Sequence, residues 1–435
     1  MTKGKQYGGA LSALVLAALL VALLTGAHAE AVIEVSTIEG LQEIGEDQES
    51  LDGDYVLTSN INASGLDNFE PIGDSSKPFT GVFDGNEYVI TGLTIDRPET
   101  NFAGLFGYVG NEGEIRNVTL EECDVMGGRA VGGLVGKNQG TVLKSDVIGS
   151  VIGGERVGGL IGWNQGDVSG SHATGFVDGQ EKIGGLVGEN NRIISMSHAT
   201  ADVTATDNYV GGLVGRNDQG TVSQSYAMGD VVGGEDYAGG LVGLNLGGNG
   251  NIKNSYATGA VIGGKRVGGL VGYATTKSKV INSYSTGKVE GEADDIGGLV
   301  GGIGGGGEVT NSFWDIETSA QSESAGGDGV DGKSTVEMQT ESAFTAADWD
   351  FEGIWGIDEA LSYPYLLNNP PPMDEEVFGD VTGSGEVQAD DLQAVINAVL
   401  GGDIDPDYDP DVNGDERVDA LDVQLVILVL LGLLG

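Results

Sequence analysis

Short apolar stretches divided by glycine, asparagine and aspartate fill the middle of this chain, and one five-residue phrase recurs among them. It is Gly-Leu-Phe-Gly around Leu105, then Gly-Gly-Leu-Val-Gly or a near variant around Leu134, Leu160, Leu186, Leu213, Leu241, Leu270 and Leu299. Successive leucines stand 29, 26, 26, 27, 28, 29 and 29 residues apart, which is a structural period. Three residues before each leucine sits Phe102, Val131, Val157, Ile183, Val210, Ala238, Val267 or Ile296. Four residues after the second to sixth leucines come Asn138, Asn164, Asn190, Asn217 and Asn245. Later in each unit a serine precedes His172, His198, Tyr226, Tyr256, Tyr284 or Phe313.

Strands of a few residues, punctuated by turn formers and without a 3.6-residue period, predict β-structure. A period near 27 is too short for a four-stranded propeller blade, and the Leu-x-x-Leu-x-Leu phrase of leucine-rich repeats is absent. The expected fold is mainly β: a right-handed parallel β-helix, or solenoid, of about eight coils, equivalent residues stacking at roughly 4.8 Å. In that arrangement the leucines and the Val/Ile ladder stack inside. Asparagines share amide hydrogen bonds at a turn, aromatics stack, and glycines take left-handed corners.

The phrase resembles the GLUG motif of large bacterial and archaeal surface proteins, and residues 101–316 carry it. Residues 30–100, with Pro71-Ile72-Gly73 and the run from Phe79 to Gly85, look like the segment that precedes such repeats and are expected to form an N-terminal β cap. Residues 317–367 concentrate aromatics and are expected to close the other end, with Ser319 to Gly332 as a mobile loop. Residues 368–377, beginning Asn-Asn-Pro-Pro-Pro, read as a stiff linker.

Beyond the linker an acidic phrase occurs twice. Asp380, Thr382, Ser384, Glu386 and Asp391 align with Asp411, Asn413, Asp415, Arg417 and Asp422. Positions 1, 3, 5 and 12 carry side-chain oxygens, and position 7, Glu386 or Arg417, offers its backbone carbonyl. This is the spacing with which one loop wraps a Ca2+ ion, so two ions are expected. An apolar helical pattern follows each loop, Leu392 to Leu400 and Val423 to Leu434. The pair resembles a type I-like dockerin over residues 378–435, a small all-α, EF-hand-like module. The resemblance implies a cohesin-type protein module as partner. The family's contact positions fall on Ala389 and Asp390 in the first loop and on Ala420 and Leu421 in the second.

Composition narrows the function. Sixty-six acids against 20 bases give a formal charge of −46, which repels phosphate backbones and argues against nucleic acid as a partner. Lys3 and Lys5, an apolar run from Ala10 to Leu24 and Ala27-His28-Ala29 read as an export signal over residues 1–29, placing the protein outside the cell or on its surface. Cys123 is the chain's one cysteine, so no intrachain disulfide can form. His172 and His198 read as members of the aromatic ladder, and no His-Glu-x-x-His or Gly-x-Ser-x-Gly motif is present. No catalytic residue is assigned. The sequence reads as an exported, non-catalytic adhesive or structural solenoid, possible partners including polysaccharide or another cell-surface polymer. A dockerin-borne polysaccharide-degrading enzyme, glycoside hydrolase or lyase, and a carbohydrate-binding module stand as alternatives.

Overall fold

The computed structural model of the protein describes residues 32–371 except 67, 249, 293 and 294, together with the helical positions Leu392, Val395, Ile396, Val423 and Val426. The expected export signal at 1–29, most of the linker and the ligands of the acidic loops lie outside the described residues. The described chain falls into two units, residues up to 338 with 347–349, and residues 339–346 with those from 350 onward.

The first unit is a parallel β-solenoid of about nine turns. Among the described residues, sheet A has eleven strands, from Ile33–Val35 through Tyr55–Leu57, Val82–Asp84 and Glu114–Arg116 to Glu308–Thr310. Sheet C has eight, from Phe106–Val109 to Val300–Ile303, one for each leucine of the sequence period. Sheet B joins the remaining solenoid strands and ends on Val330–Lys333, parallel to Ser312–Asp315. In sheets A and C pairing stays in register from coil to coil, as in Val135 with Ile161 and Ile161 with Val187. Leu134, Leu160, Leu186, Leu213, Leu241, Leu270 and Leu299 are all fully buried. Each such side chain contributes roughly 1.5–3 kcal/mol of apolar burial, and only its neighbours above and below make that burial possible.

Buried polar ladders run through the same core. Asn138 Nδ2 donates to Asn164 Oδ1 at 2.8 Å, Asn164 to Asn190 at 2.9 Å, and the chain continues through Asn217 to Asn245 at 2.8 Å per step. At the next corner each buried serine accepts the backbone N–H of the serine one coil earlier, as Ser171 Oγ does from Ser145 N at 3.1 Å. The same hydroxyl donates to the carbonyl two residues back, Ser171 Oγ to Ser169 O at 3.1 Å. The serines thus satisfy the backbone groups that a buried corner leaves without a ladder partner.

Three expectations are corrected, two about the coils and a third about the far end. The left-handed corners do not fall on the repeated glycines; they fall on residues such as Arg156, Lys182, Tyr209, Tyr237 and Arg266, with φ between 53° and 68°. The paired glycines are required by close approach. A Cβ on Gly158 would meet Leu186 O at 2.7 Å and Gly188 N at 2.8 Å, and one on Gly185 would meet the Ala199 methyl at 2.9 Å. The ladder position assigned to Phe102 belongs to Ala103, which pairs with Val131 and is fully buried. The first unit carries one glycine where its successors carry two, so the count slips by one residue and Phe102 turns outward at φ 62°.

The ends are covered by local devices. Ile72 and Phe79 bridge the free edge of sheet C: Ile72 N donates to Leu105 O at 2.9 Å and Phe79 N to Tyr108 O at 2.9 Å. Two short helices, Ile38–Glu43 and Gln48–Leu51, are capped by Thr37 and Asp47 and bury Leu41 and Leu51. At the far end the stretch 319–332, expected as a mobile loop, is tied to the last coil. Val289 N donates to Ser319 O at 3.1 Å, Gly298 N to Glu323 O at 3.0 Å and Ala325 N to Val300 O at 3.0 Å. In the second unit, Trp355–Gly356 pairs antiparallel with Tyr365–Leu366, and Phe344 packs on Phe351 at 6.2 Å.

Glycine at the coil contact should therefore be irreplaceable. Gly211→Ala drives a methyl into Gly243 N at 2.8 Å and Leu241 O at 2.9 Å, and should cost about 1–3 kcal/mol in urea unfolding. Gly248→Ala, where a Cβ meets nothing within 4 Å, should stay within about 0.5 kcal/mol. Equal midpoints for the two variants would refute the close-approach account.

Candidate functional site

The outward positions of sheet C form a row of chemically rich side chains. Register places Tyr108, Lys137, Trp163, Glu189, Arg216, Leu244 and Tyr273 one above another. The left-handed corner supplies a second row beside it, Arg156, Lys182, Tyr209, Tyr237 and Arg266. The rows interlock. The Arg156 guanidinium lies 4.8 Å from the Trp163 ring centre, and Arg266 lies 5.0 Å from Tyr237 and 5.2 Å from Tyr273. The Lys137 ammonium sits between Tyr108 and Trp163, 4.8 and 4.2 Å from their ring centres.

Carboxylates interleave with these cations. Arg156 Nε is 2.7 Å from Glu189 Oε2, and Arg156 also pairs with Glu155 at 2.6 Å. Lys182 Nζ reaches Glu155 at 2.7 Å, and Arg216 pairs with Asp218 at 2.9 Å. Burial opposes ionisation of Glu155, but the Lys182 hydrogen bond and the Arg156, Lys182 and Arg129 charges outweigh it and hold the carboxyl below the usual range. A depressed carboxylate stabilises the fold above its ordinary pKa, and the benefit is lost as pH falls through the lowered one. Glu189 and Lys182 are buried, so this is a fixed network and not a set of loose surface pairs. Trp163 is oriented by its indole N–H, which donates to Asn191 Oδ1 at 2.7 Å.

Sequence reasoning missed this ribbon. Its signal was present: the position three after each leucine holds an aromatic or charged residue in most units, where a solvated β face needs only polar ones. The histidines behave as expected. His172 stacks on His198 at 4.4 Å, His198 on Tyr226 at 4.6 Å, and the stack continues through Tyr256 and Tyr284. Trp349 then packs on Tyr284 and Phe313, and its N–H donates to Asn311 O at 2.9 Å. Burial raises the Tyr226 and Tyr256 phenols well above their ordinary range, in keeping with a packing role.

The residues expected to bind calcium, Asp380, Thr382, Ser384, Glu386, Asp391, Asp411, Asn413, Asp415, Arg417 and Asp422, lie outside the described residues, as do Ala389, Asp390, Ala420 and Leu421. Five positions after the loops are described, all helical: Leu392, Val395, Ile396, Val423 and Val426. Val395 and Val426 occupy the same place in the two copies, and both are fully buried. Each copy therefore presents one helical apolar residue to an interior. Among the described residues no group of three or more His, Cys, Asp or Glu is placed to hold a metal ion.

Comparison with known proteins finds matches in two stretches of the chain. Residues 378–431 match the dockerin type I domain, and residues 153–178, 206–232, 234–262 and 263–290 match the GLUG motif. The chain thus carries GLUG-motif repeats and a dockerin type I domain, and neither family is catalytic. It is 35% identical to Halomucin of Haloquadratum walsbyi over 132 residues, 28% of this chain and 1% of that protein. It is 38% identical to a protein of Evansella cellulosilytica described as a Gly-rich membrane protein, over 382 residues, 72% of this chain and 41% of that one. The chain spans less than half the length of these curated relatives. Among solved structures, one from Bacteroides ovatus described as an immunoglobulin A1 protease aligns with a TM-score of 0.46 at 17% identity, covering 78% of this chain and 93% of that one. No functional reading rests on it.

Cys123 lies at a bulge in sheet B, where burial pushes its thiol up to about 12. At pH 8 the thiol is then held in its protonated, unreactive form. The folded chain should resist an aromatic disulfide reagent for hours and react once denatured; labelling within minutes in the folded state would contradict the burial.

Proposed function

We propose that the protein is an exported, non-catalytic solenoid that serves as an adhesive or structural spacer and is held to a cohesin-bearing partner by its calcium-folded C-terminal module. The observation that carries the reading is the pairing of an in-register repeat rod with a dockerin type I domain, since dockerins attach what they are fused to. The relatives, Halomucin and a protein described as a Gly-rich membrane protein, support a location outside the cell or on its surface, as do the dockerin itself and the expected export signal at 1–29.

The donor set fits a hard cation. Asp380, Thr382, Ser384, Asp391 and the Glu386 carbonyl would hold one Ca2+, and Asp411, Asn413, Asp415, Asp422 and the Arg417 carbonyl a second. Bound calcium would neutralise carboxylates that otherwise repel, and so let the two apolar helices pack. Thr382 and Ser384 are neutral, which makes the first loop the weaker ligand set. Glu416 stands where such loops carry glycine and costs the second loop about 1 kcal/mol. Ala389, Asp390, Ala420 and Leu421 would meet the cohesin module. Position 10 is alanine in both halves, but Asp390 in the first corresponds to Leu421 in the second, and this mismatch favours one docking orientation over two.

Calcium should raise the helical circular dichroism signal of the full chain and protect residues 373–435 from protease, and chelation should reverse both. Asp411→Ala with Asp422→Ala should weaken calcium-dependent cohesin capture more than Asp380→Ala with Asp391→Ala. Capture that survives chelation would end the docking reading. Release of soluble sugars from plant or microbial polysaccharides would replace the spacer with the enzyme alternative.

A further inference from the structure

Two tripeptides of the form Asn-x-Ser/Thr occur in the chain, Asn62-Ala63-Ser64 and Asn117-Val118-Thr119, and neither asparagine belongs to the buried amide ladder. Such a tripeptide is the acceptor of an N-linked glycan on an exported protein, and the glycan needs an asparagine whose amide nitrogen stands free at the surface. The fold treats the two asparagines in opposite ways.

Asn62 ends the two-residue strand Ile61–Asn62 and is exposed, as are Ser64 and Gly65. Its side-chain Oδ1 accepts the Ser64 N–H at 3.0 Å and the Ser64 hydroxyl at 2.6 Å. The hydroxyl residue of the tripeptide therefore holds the amide oxygen, while Nδ2 makes no hydrogen bond among the described residues. The turn is anchored from beneath. Ala63 is buried and its N–H donates to Thr91 O at 2.8 Å, and Leu66 N donates to Ala63 O at 3.0 Å. A Cβ on Gly65 would meet nothing within 4 Å, so the turn has open space beside it.

Asn117 is half-buried at a left-handed corner, with φ 52°. Its Nδ2 donates to Asp84 Oδ1 at 2.9 Å, and Asp84 is itself paired with Arg116 at 2.9 Å. A Cβ on Gly85 would collide with the Asn117 carbonyl, so the backbones of two coils touch at this corner. Thr119 opens the strand Thr119–Gly132 and is paired on both sides, with Val89 and with Asp146. A sugar on this nitrogen would break the Asp84 bond where the coils meet, and a chain so modified could not close the corner.

We infer that Asn62 is an N-glycosylation site and that Asn117 is not. The sugar donor is a glycan joined through its anomeric carbon to a polyprenyl phosphate or pyrophosphate, in the membrane across which the chain is exported. Nδ2 of Asn62 forms a bond to the anomeric carbon as the bond from that carbon to the phosphate oxygen breaks. The lipid phosphate leaves with the electron pair, and the amide nitrogen releases one proton. No oxidant or reductant takes part. The position gives the glycan a physical consequence. Among the described residues Ile61–Asn62 pairs with Val89–Thr91 and with no second strand, which makes it an edge of sheet B. An open edge invites strand addition by another chain, and a bulky hydrophilic group on its outward residue obstructs that approach.

This inference rests on the reading of the protein as exported, and its test separates the two. The full chain is recovered from the medium, the surface and the cytoplasm of cells that produce it, and its proteolytic peptides are weighed. Peptides that contain Asn62 should be heavier by a glycan, and those that contain Asn117 should have their bare mass. Asn62→Gln and Ser64→Ala should each abolish the added mass, and Ser64→Thr should keep it. Folded, sugar-free full chain given an N-oligosaccharyltransferase and a lipid-linked oligosaccharide should take up sugar at Asn62 at least tenfold faster than at Asn117. A glycan on Asn117 of the folded chain, or an added mass that survives Ser64→Ala, would overturn the assignment. Exported protein bare at Asn62 would overturn it too and leave export standing. Bare protein confined to the cytoplasm would overturn the export reading and this site with it.

Discussion

Every coil of this solenoid must lie against a copy of itself at the strand spacing, and that self-contact decides which residues the chain can place where. Inside, only a group that complements its own copy can be repeated. Leucine and valine do so by shape. Asparagine does so because its amide is both donor and acceptor, so Asn138 to Asn245 form one continuous ribbon of hydrogen bonds. Serine does so through a hydroxyl that accepts from one coil and donates within its own. Aspartate, acceptor-only when ionised, could not occupy the asparagine ladder. Where the ladder meets Ala274, the last amide turns to Gly250 O and Lys279 O.

The glycine pairs belong to the same constraint. They let backbones approach at a corner where a methyl would collide with carbonyls of the neighbouring coil, and they face an alanine column, Ala173, Ala199, Ala227 and Ala257, across a thin part of the core. On the outer face the rule changes sign. Like charges one coil apart repel, so the ribbon alternates: Lys137 between two aromatics, Glu189 between Trp163 and Arg216, Glu155 bridging Arg156 and Lys182.

Period, strand content and the identity of the stacked ladders were legible because they depend on spacing alone, and spacing is what a sequence displays. The leucine column, the asparagine amides and the His-Tyr stack could be read this way. What spacing hides is which way a residue turns at a corner. Phe102 was misplaced by one because a single missing glycine is invisible to a count anchored on leucine, whereas pairing of Ala103 with Val131 settles it. The glycines were credited with left-handed corners from their intrinsic freedom, when the operative fact is the distance to another coil. The stretch 319–332 has a loop's composition, yet its backbone supplies hydrogen bonds to an edge that no sequence pattern announces. The ribbon escaped because its two rows are seven residues apart in the chain, as Arg156 and Trp163 are, and become neighbours only when the coil closes.

The same donor and acceptor logic separates the two ends of the chain chemically. A solenoid absorbs polar groups by pairing each with its own copy, and it can be lengthened indefinitely without an ion or a disulfide. The duplicated acidic loops cannot use that solution. Their side chains at positions 1 and 12 are aspartates in both copies, acceptor-only groups that repel one another and have too few bases nearby to answer them. On the proposed reading, a bound cation would supply the missing positive charge and so tie folding of that module to its metal, as folding of the rod is not tied. Dependence on calcium would then be a property of attachment and not of the repeat body, whose ladders pair each polar group with its own copy.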